Sequence, residues 1–290
     1  MSKDPVTLAL HPPIRFADVG AHRLEYVDIP AHQVQRPPLV FMHEGLGSVS
    51  TWRDFPASVA RATGCRTIVY SRYGFGRSSR RPAPYTPDFM HEEALELFPA
   101  LRAALDIAAP VLIGHSTGAS MALIHAGAAG SDVAGVVAMA PLAFVEAFNL
   151  DSIRRAKTLY ATTDMRERLS RHHDDVDGVF FGWNDIWLHP DFASWSIRDD
   201  LAGIRCPILA ILGEDDEYST AAQIEAIAQH AAQAESFDYL RLADCRHAPQ
   251  RDQPAIVTEA IVRFVDSLPR PQGHSRTRRG TPEGRCTDEG

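Results

Sequence analysis

The pentapeptide Gly114-His115-Ser116-Thr117-Gly118 follows the apolar run Pro110-Val111-Leu112-Ile113 and precedes a small-residue stretch over 119–129. The pattern reads as a strand, a sharp turn that carries a serine, and then a helix. In so tight a turn the serine side chain is pushed out above the sheet, and glycines on either side let strand and helix approach closely. That is where a nucleophile would be placed. The same pattern also arises by chance in a chain with 19 glycines, so its meaning rests on what surrounds it.

Moving outward, the upstream chain alternates buried-type strands with helices. Leu39-Val40-Phe41-Met42 is a continuous apolar run of strand length, followed by the loop His43-Glu44-Gly45-Leu46-Gly47-Ser48 and a helix pattern with Trp52, Phe55, Val59 and Ala60 at three- and four-residue steps. Thr67-Ile68-Val69-Tyr70 is the next strand, and 72–87 is a Gly-, Arg- and Pro-rich loop. A helix over 89–108 then carries Leu95, Phe98, Leu101 and Leu105 on one side. Nearer the N-terminus, two partly alternating runs at 14–19 and 22–27 flank Gly20-Ala21 and predict a hairpin. Downstream, Val133-Ala134-Gly135-Val136-Val137-Ala138-Met139-Ala140 is another strand. This alternation predicts an α/β fold: a mostly parallel central sheet with helices on both faces.

The rhythm breaks at Pro141. Residues 142–198 hold helix-like stretches rich in Arg and Asp and the aromatic segment Phe180-Phe181-Gly182-Trp183-Asn184-Asp185-Ile186-Trp187, and strand character returns only at Pro207-Ile208-Leu209-Ala210-Ile211-Leu212-Gly213. An insertion bracketed by core strands is most simply a mainly helical lid or cap over the sheet edge where strands end. The expected organisation is core over 1–141, cap over 142–198, core again over 199–269, and a disordered tail over 270–290, where apolar residues give out.

Composition narrows the function classes. A net charge of −8 over 290 residues, with no basic stripe in the folded part, argues against nucleic acid as a partner. No apolar run approaches the roughly 20 residues that span a bilayer, and the N-terminus lacks a secretory signal, so a cytoplasmic protein with no membrane partner is expected. Cys65, Cys206, Cys245 and Cys286 are widely separated without a C-x-x-C pair, which indicates neither a zinc site nor a disulfide framework. No metal and no cofactor are expected. Lys occurs only at positions 3 and 157, a bias read as that of the source genome. The expected partner is a small-molecule substrate, and oligomeric state is left open.

Acyl transfer by a serine needs a base, a carboxylate that orients the base, and donors for the oxyanion. His247 follows the last strand, Phe237-Asp238-Tyr239-Leu240-Arg241-Leu242, on a short loop, and Glu214-Asp215-Asp216-Glu217 follows the strand before it. Both therefore fall at the same sheet edge as Ser116, in the chain order Ser, Asp, His. The amide of Thr117 sits at a helix start, where amides are free and the dipole favours negative charge. A second donor would come from the glycine-bearing loop at 43–47.

Together these pieces resemble the α/β-hydrolase fold with a cap: the loop His43 to Gly47 before Trp52, Arg72-Tyr73-Gly74-Phe75-Gly76-Arg77-Ser78, Gly114 to Gly118, Gly213-Glu214-Asp215-Asp216, and His247. They run in the right order over residues 39–247. The resemblance implies Asp216 over Asp215 as the acid and the Gly45 amide as the second oxyanion donor.

Two departures individualise the chain. Glu44 stands where the family has glycine, and Ser71-Arg72-Tyr73 opens a loop that the family begins differently. A carboxylate aimed at the oxyanion would oppose it by on the order of 4 kcal/mol at 4 Å. Glu44 is therefore expected to pair with Arg72 or Arg77, or to serve the substrate. Trp183, Trp187 and Tyr73 are candidates for substrate contact, with the tryptophans equally readable as glue between cap and core. His115 reads as a packing residue, His43 as a bond within its loop, and His172-His173 with Asp174-Asp175 as solvated surface and not a metal site. The function expected is a serine hydrolase of a small ester, lactone or thioester. A carbon–carbon bond hydrolase of ring-cleavage products and a ligand sensor on the same fold are the alternatives.

Overall fold

The computed structural model describes residues 12–33, 35–129 and 132–269; the expected tail over 270–290, Cys286 and the first eleven residues lie outside them. Eight strands form one sheet in the order β1-β2-β4-β3-β5-β6-β7-β8. They are β1 Arg15–Val19, β2 His22–Ile29, β3 Leu39–Met42, β4 Thr67–Tyr70, β5 Val111–His115, β6 Gly135–Met139, β7 Ile208–Gly213 and β8 Phe237–Leu242. The hairpin β1–β2 joins antiparallel at one edge, and β3 to β8 are parallel. Strands β3 to β7 are buried along their whole length. Their continuous apolar runs thus have the cause expected of them: both faces are covered.

The covering helices are α1 Phe55–Thr63, α2 Phe89–Glu92, α3 Phe98–Ala104, α4 Thr117–Ala129, α5 Ala147–Thr162, α6 Met165–Ser170, α7 Val176–Trp187, α8 Arg198–Leu201, α9 Ala221–His230, α10 Pro249–Asp252 and α11 Pro254–Ser267. Helices α1 and α11 pack together on one face, where Phe55, Val59, Val257, Ile261 and Phe264 meet the sheet. On the other face α4 lies against β5 and β6.

The helix expected over 89–108 is not one regular helix. A wide π-turn at Glu93–Leu97 separates α2 from α3, and the second piece ends at Ala104. The extra residue in that turn rotates the face, so Leu95 is 41% exposed while Glu93 is buried. Tyr70 donates its hydroxyl hydrogen to Glu93 at 3.0 Å. Burial raises the Glu93 carboxyl, and Arg72 partly opposes that.

Between β6 and β7 the chain makes helices α5 to α8. Its two ends meet in a neck: Phe144 bridges Ser196, and the Ile197 amide donates to the Ala143 carbonyl at 2.9 Å. Beyond the neck, α5 and α7 run antiparallel, with the Asn184 amide donating to the Ile153 carbonyl at 2.8 Å and Tyr160 stacked on Phe180. No helix among the described residues is long and apolar enough to cross a membrane.

Candidate active site

Strand β5 stops at His115, and Ser116 takes φ +53°, the left-handed conformation that costs a non-glycine residue of order 1–3 kcal/mol. Its amide donates to the Met139 carbonyl of β6 at 2.9 Å, which pins the turn to the neighbouring strand. Helix α4 then starts at Thr117. Gly118 is required by crowding: a Cβ there would sit 2.1 Å from the Met42 carbonyl oxygen and 2.5 Å from that of His43. The turn is thereby pressed against the end of β3.

The loops after β7 and β8 meet this turn. His247 Nε2 lies 3.0 Å from Ser116 Oγ, and its Nδ1 lies 2.8 and 2.9 Å from the two carboxylate oxygens of Asp216. That fixes the tautomer: Nδ1–H donates to Asp216, and Nε2 is left to accept from the serine hydroxyl. Asp216 is itself held by the amides of Tyr218 and Ser219, at 2.7 and 2.9 Å. Asp215 is not part of this line; its amide donates to the Cys245 carbonyl. Ser116, His247 and Asp216 are thus in one hydrogen-bonded row of base, orienting acid and hydroxyl.

Opposite the serine, the loop after β3 is held from behind. His43 is fully buried, donates from Nδ1 to the Glu44 carbonyl at 2.7 Å and accepts the Arg72 amide at Nε2 at 3.0 Å. Burial first, and then the Arg72 guanidinium, push its pKa well below the ordinary value, so the ring is neutral. The Arg72 side chain donates to the Glu44 carbonyl at 2.9 Å and lies over the Phe75 ring.

Glu44 does not pair with Arg72 or Arg77 as expected. Its carboxylate folds back over Gly47, where a Cβ would meet Oε2 at 2.3 Å, and stands 3.7 Å from His115 Nδ1. Burial pushes the carboxyl up, but the adjacent His115 imidazole more than reverses this and holds it at about 2. His115 is more than packing: its Nε2–H donates to the His247 carbonyl at 2.6 Å. The arginine pairing failed because Arg72 is spent on the loop's main chain.

A cavity of about 230 Å3 opens over Ser116, with Gly45 and Thr117 in its wall. Trp183 and Trp187 of α7 close it from above, and the Trp183 ring lies so close to Gly45 that a Cβ there would stand 2.3 Å from its Nε1. Trp183 therefore serves both as glue and as lining, whereas Trp187 lines the cavity and packs on Phe192 and Trp195 within the insertion. Tyr73 does neither: it is not among the residues around this cavity, because its ring stacks on His22 at 3.9 Å and faces Arg81. Asn149, Ile153, Glu217, Tyr218 and Arg251 also line the cavity. No sequence motif marked Asn149 and Ile153, since which insertion residue faces inward is decided by how α5 and α7 pack, while Glu217, Tyr218 and Arg251 come from the core loops after β7 and β8.

The His172-His173 pair is not a solvated surface. His173 is buried, accepts the Gly76 amide at 3.0 Å and donates to the Leu46 carbonyl at 2.9 Å, so it ties the insertion to two core loops. His172 lies 2.8 Å from Ser50 Oγ. Among the described residues no group of His, Cys, Asp and Glu could hold a metal ion.

The sequence model of the alpha/beta hydrolase family matches residues 39–260, three quarters of the chain. The chain belongs to the alpha/beta hydrolase family. Among curated proteins, a proline iminopeptidase of Lactobacillus helveticus (strain DPC 4571) is 31% identical over 100 residues, 34% of this chain and 34% of that protein. The matched segment thus spans about a third of that relative's length. Among solved structures, the proline iminopeptidase of Mycobacterium smegmatis superposes with a TM-score of 0.68 at 18% identity, covering 88% of this chain and 98% of that one. The enol-lactonase of Burkholderia xenovorans LB400 gives 0.67 at 22%, covering 87% and 100%. At these identities the structural matches show a shared fold.

Proposed function

We propose that this hydrolase cleaves a small carboxylic ester, lactone or thioester through an acyl-enzyme on Ser116. The observation that carries the reading is the unbroken row from Asp216 through His247 to Ser116, ending on a strained serine at the start of a helix. His247 Nε2 takes the hydroxyl proton as Ser116 Oγ attacks the carbonyl carbon, and Asp216 balances the imidazolium that forms. His247 then protonates the leaving oxygen or sulfur, and a water repeats the cycle to release the acid. The Gly45 and Thr117 amides are the donors for the oxyanion, Thr117 aided by the helix dipole. The Glu44 carboxylate is turned back over Gly47, 3.7 Å from His115 Nδ1. A cytoplasmic setting is part of the proposal, with Cys65, Cys206 and Cys245 as buried free thiols.

A second reading has one observation in its favour. An ionised carboxylate, Glu44, lines the cavity and would suit a substrate with a protonated amine, as in removal of an N-terminal residue. Relatives named proline iminopeptidases give that reading its probe.

The test is turnover of p-nitrophenyl acetate, butyrate and hexanoate beside proline p-nitroanilide. The esters are expected to be cleaved and the anilide not, and Ser116→Ala should lower kcat on the order of a millionfold. Ester turnover that survives Ser116→Ala would sink the proposal, and cleavage of the anilide alone would install the second reading.

A further inference from the structure

Residues of the cavity wall carry buried polar atoms that nothing in the protein satisfies. Asn149, in the first turn of α5, is 1% exposed, and its Oδ1 accepts the Glu146 amide at 3.3 Å. That bond fixes which end of the side chain is oxygen, and the Nδ2 donor on the other end is buried without a partner. Trp187, at the end of α7, is 2% exposed, and its Nε1 donor is likewise buried and unpartnered. Thr117 Oγ1, beside the nucleophile, is a third such atom. All three residues line the same cavity as Ser116.

Asn149 and Trp187 also sit at matching levels of their helices. Helices α5 and α7 run antiparallel, with Tyr160 bonded to Asp177 and Asn184 bonded to Ile153. One turn before Ile153 is Asn149, and one turn beyond Asn184 is Trp187. Buried donors are nearly always paired in folded proteins because leaving one unmade costs stability. Two such donors, on residues that line the substrate cavity, are open to an oxygen acceptor on the substrate.

Resting on the reading of the cavity as an acyl-transfer site, we infer that Asn149 and Trp187 form a subsite for a neutral oxygen acceptor on the substrate. The substrate class is then an ester or lactone with a second oxygen function, a ketone or ether, on its short acyl part. The charge of the cavity argues for a neutral group. A carboxylate there would share about 230 Å3 with Glu44 and Glu217, against Arg251 as the cation in the lining. The remaining lining near the tryptophans, Leu142 and Ile153, is apolar and accepts the carbon chain.

The experiment compares p-nitrophenyl 4-oxopentanoate and 5-oxohexanoate with the plain pentanoate and hexanoate, and with the mono-p-nitrophenyl ester of glutarate. In the wild-type protein at least one oxo ester should exceed its plain counterpart in kcat/KM by about tenfold, the worth of a neutral hydrogen-bonded acceptor. Asn149→Asp keeps the oxygen that caps α5 and removes the donor. Trp187→Phe keeps an aromatic ring and removes the other. Each should bring the oxo-to-plain ratio toward one. The Ser116→Ala protein offers the same comparison without turnover, through a larger thermal shift with methyl 4-oxopentanoate than with methyl pentanoate. Equal rates and equal shifts for oxo and plain compounds overturn the inference, as does an equal loss on both in the two variants. Preference for the glutarate ester overturns it in favour of an anion site. In each of these cases Ser116-dependent ester cleavage still stands, so failure of the subsite is distinct from failure of the reaction.

Discussion

The loops at the carboxyl edge of the sheet and the helices between β6 and β7 enclose the same cavity, yet they are held by different means. Around the serine turn the core is fixed main chain against main chain, with the His43 and Arg72 side chains holding the loop after β3 from behind. Gly118 touches the carbonyls of Met42 and His43, the Ser116 amide bonds to Met139, and the Asp215 amide bonds to Cys245. The insertion is fixed mainly through side chains: His173 on Gly76 and Leu46, Trp183 on Gly45, Gln223 on Ala143 and Phe144, beside one main-chain bond from the Asp174 amide to the Gly76 carbonyl. Main-chain contacts place the reacting atoms within tenths of an ångström and tolerate no added volume. Side-chain contacts allow the wall opposite to be rewritten one residue at a time.

The same substitution made on each side breaks the comparison most directly. In Gly118→Ala the new methyl meets two carbonyl oxygens that belong to the sheet. The expected result is a loss of about 3 kcal/mol in stability, with kcat lowered because β3 and the serine turn are forced apart. Thermal melts and single-substrate kinetics check both parts. A Tm within a degree of wild type would show that the main chain there is not tightly held.

Gly45→Ala tests the other side. Its methyl meets the Trp183 indole, a side chain of the insertion. The tryptophan moves at a cost of about 1 kcal/mol, and KM rises more than kcat falls. If instead kcat falls alone, the Gly45 amide matters more than the wall above it.

The smallest effect belongs to both sides. His43 and His125 in the core and His172 and His173 in the insertion are all lowered, first by burial. Below the ordinary histidine value, near 6.5, the unfolded chain binds protons that the folded one refuses, so stability falls as pH drops through and below that point. Glu44, at about 2 against an ordinary 4.5, adds stability above 4.5 that is lost as pH falls toward 2. His91, raised by its bond to Asp200, acts in the opposite sense near neutrality. A melt at pH 5.5 should therefore run about a degree or two below one at 7.5. Equal values would mean that these imidazoles take up protons without leaving their sites.

The same division explains how much could be read in advance. Continuous apolar runs gave β3 to β7, because strands buried on both faces have no polar side. The positions of Ser116, Asp216 and His247 followed, since each lies just past a strand end, where chain order fixes location. Leu95 was misread because an extra residue in a helical turn leaves no mark in an apolar period. The arginine pairing of Glu44 and the readings of His173 and Tyr73 failed for another reason: each side chain is placed by a partner remote in the chain, His115, Leu46 and His22 respectively. Asn149 gave no signal at all, because its meaning lies in a bond it does not make.

The neck at Phe144 and Ser196 has an implication for how such proteins diversify. Entry and exit of the insertion are clasped together where two neighbouring strands end, so everything beyond the clasp is joined covalently to the sheet at one place and meets the core loops elsewhere only through contacts such as those of His173 and Trp183. A lineage can lengthen, shorten or exchange that segment without shifting the register of β6 on β7. New specificities then arise by trading a pendant, while the inherited reaction centre stays in place beneath it.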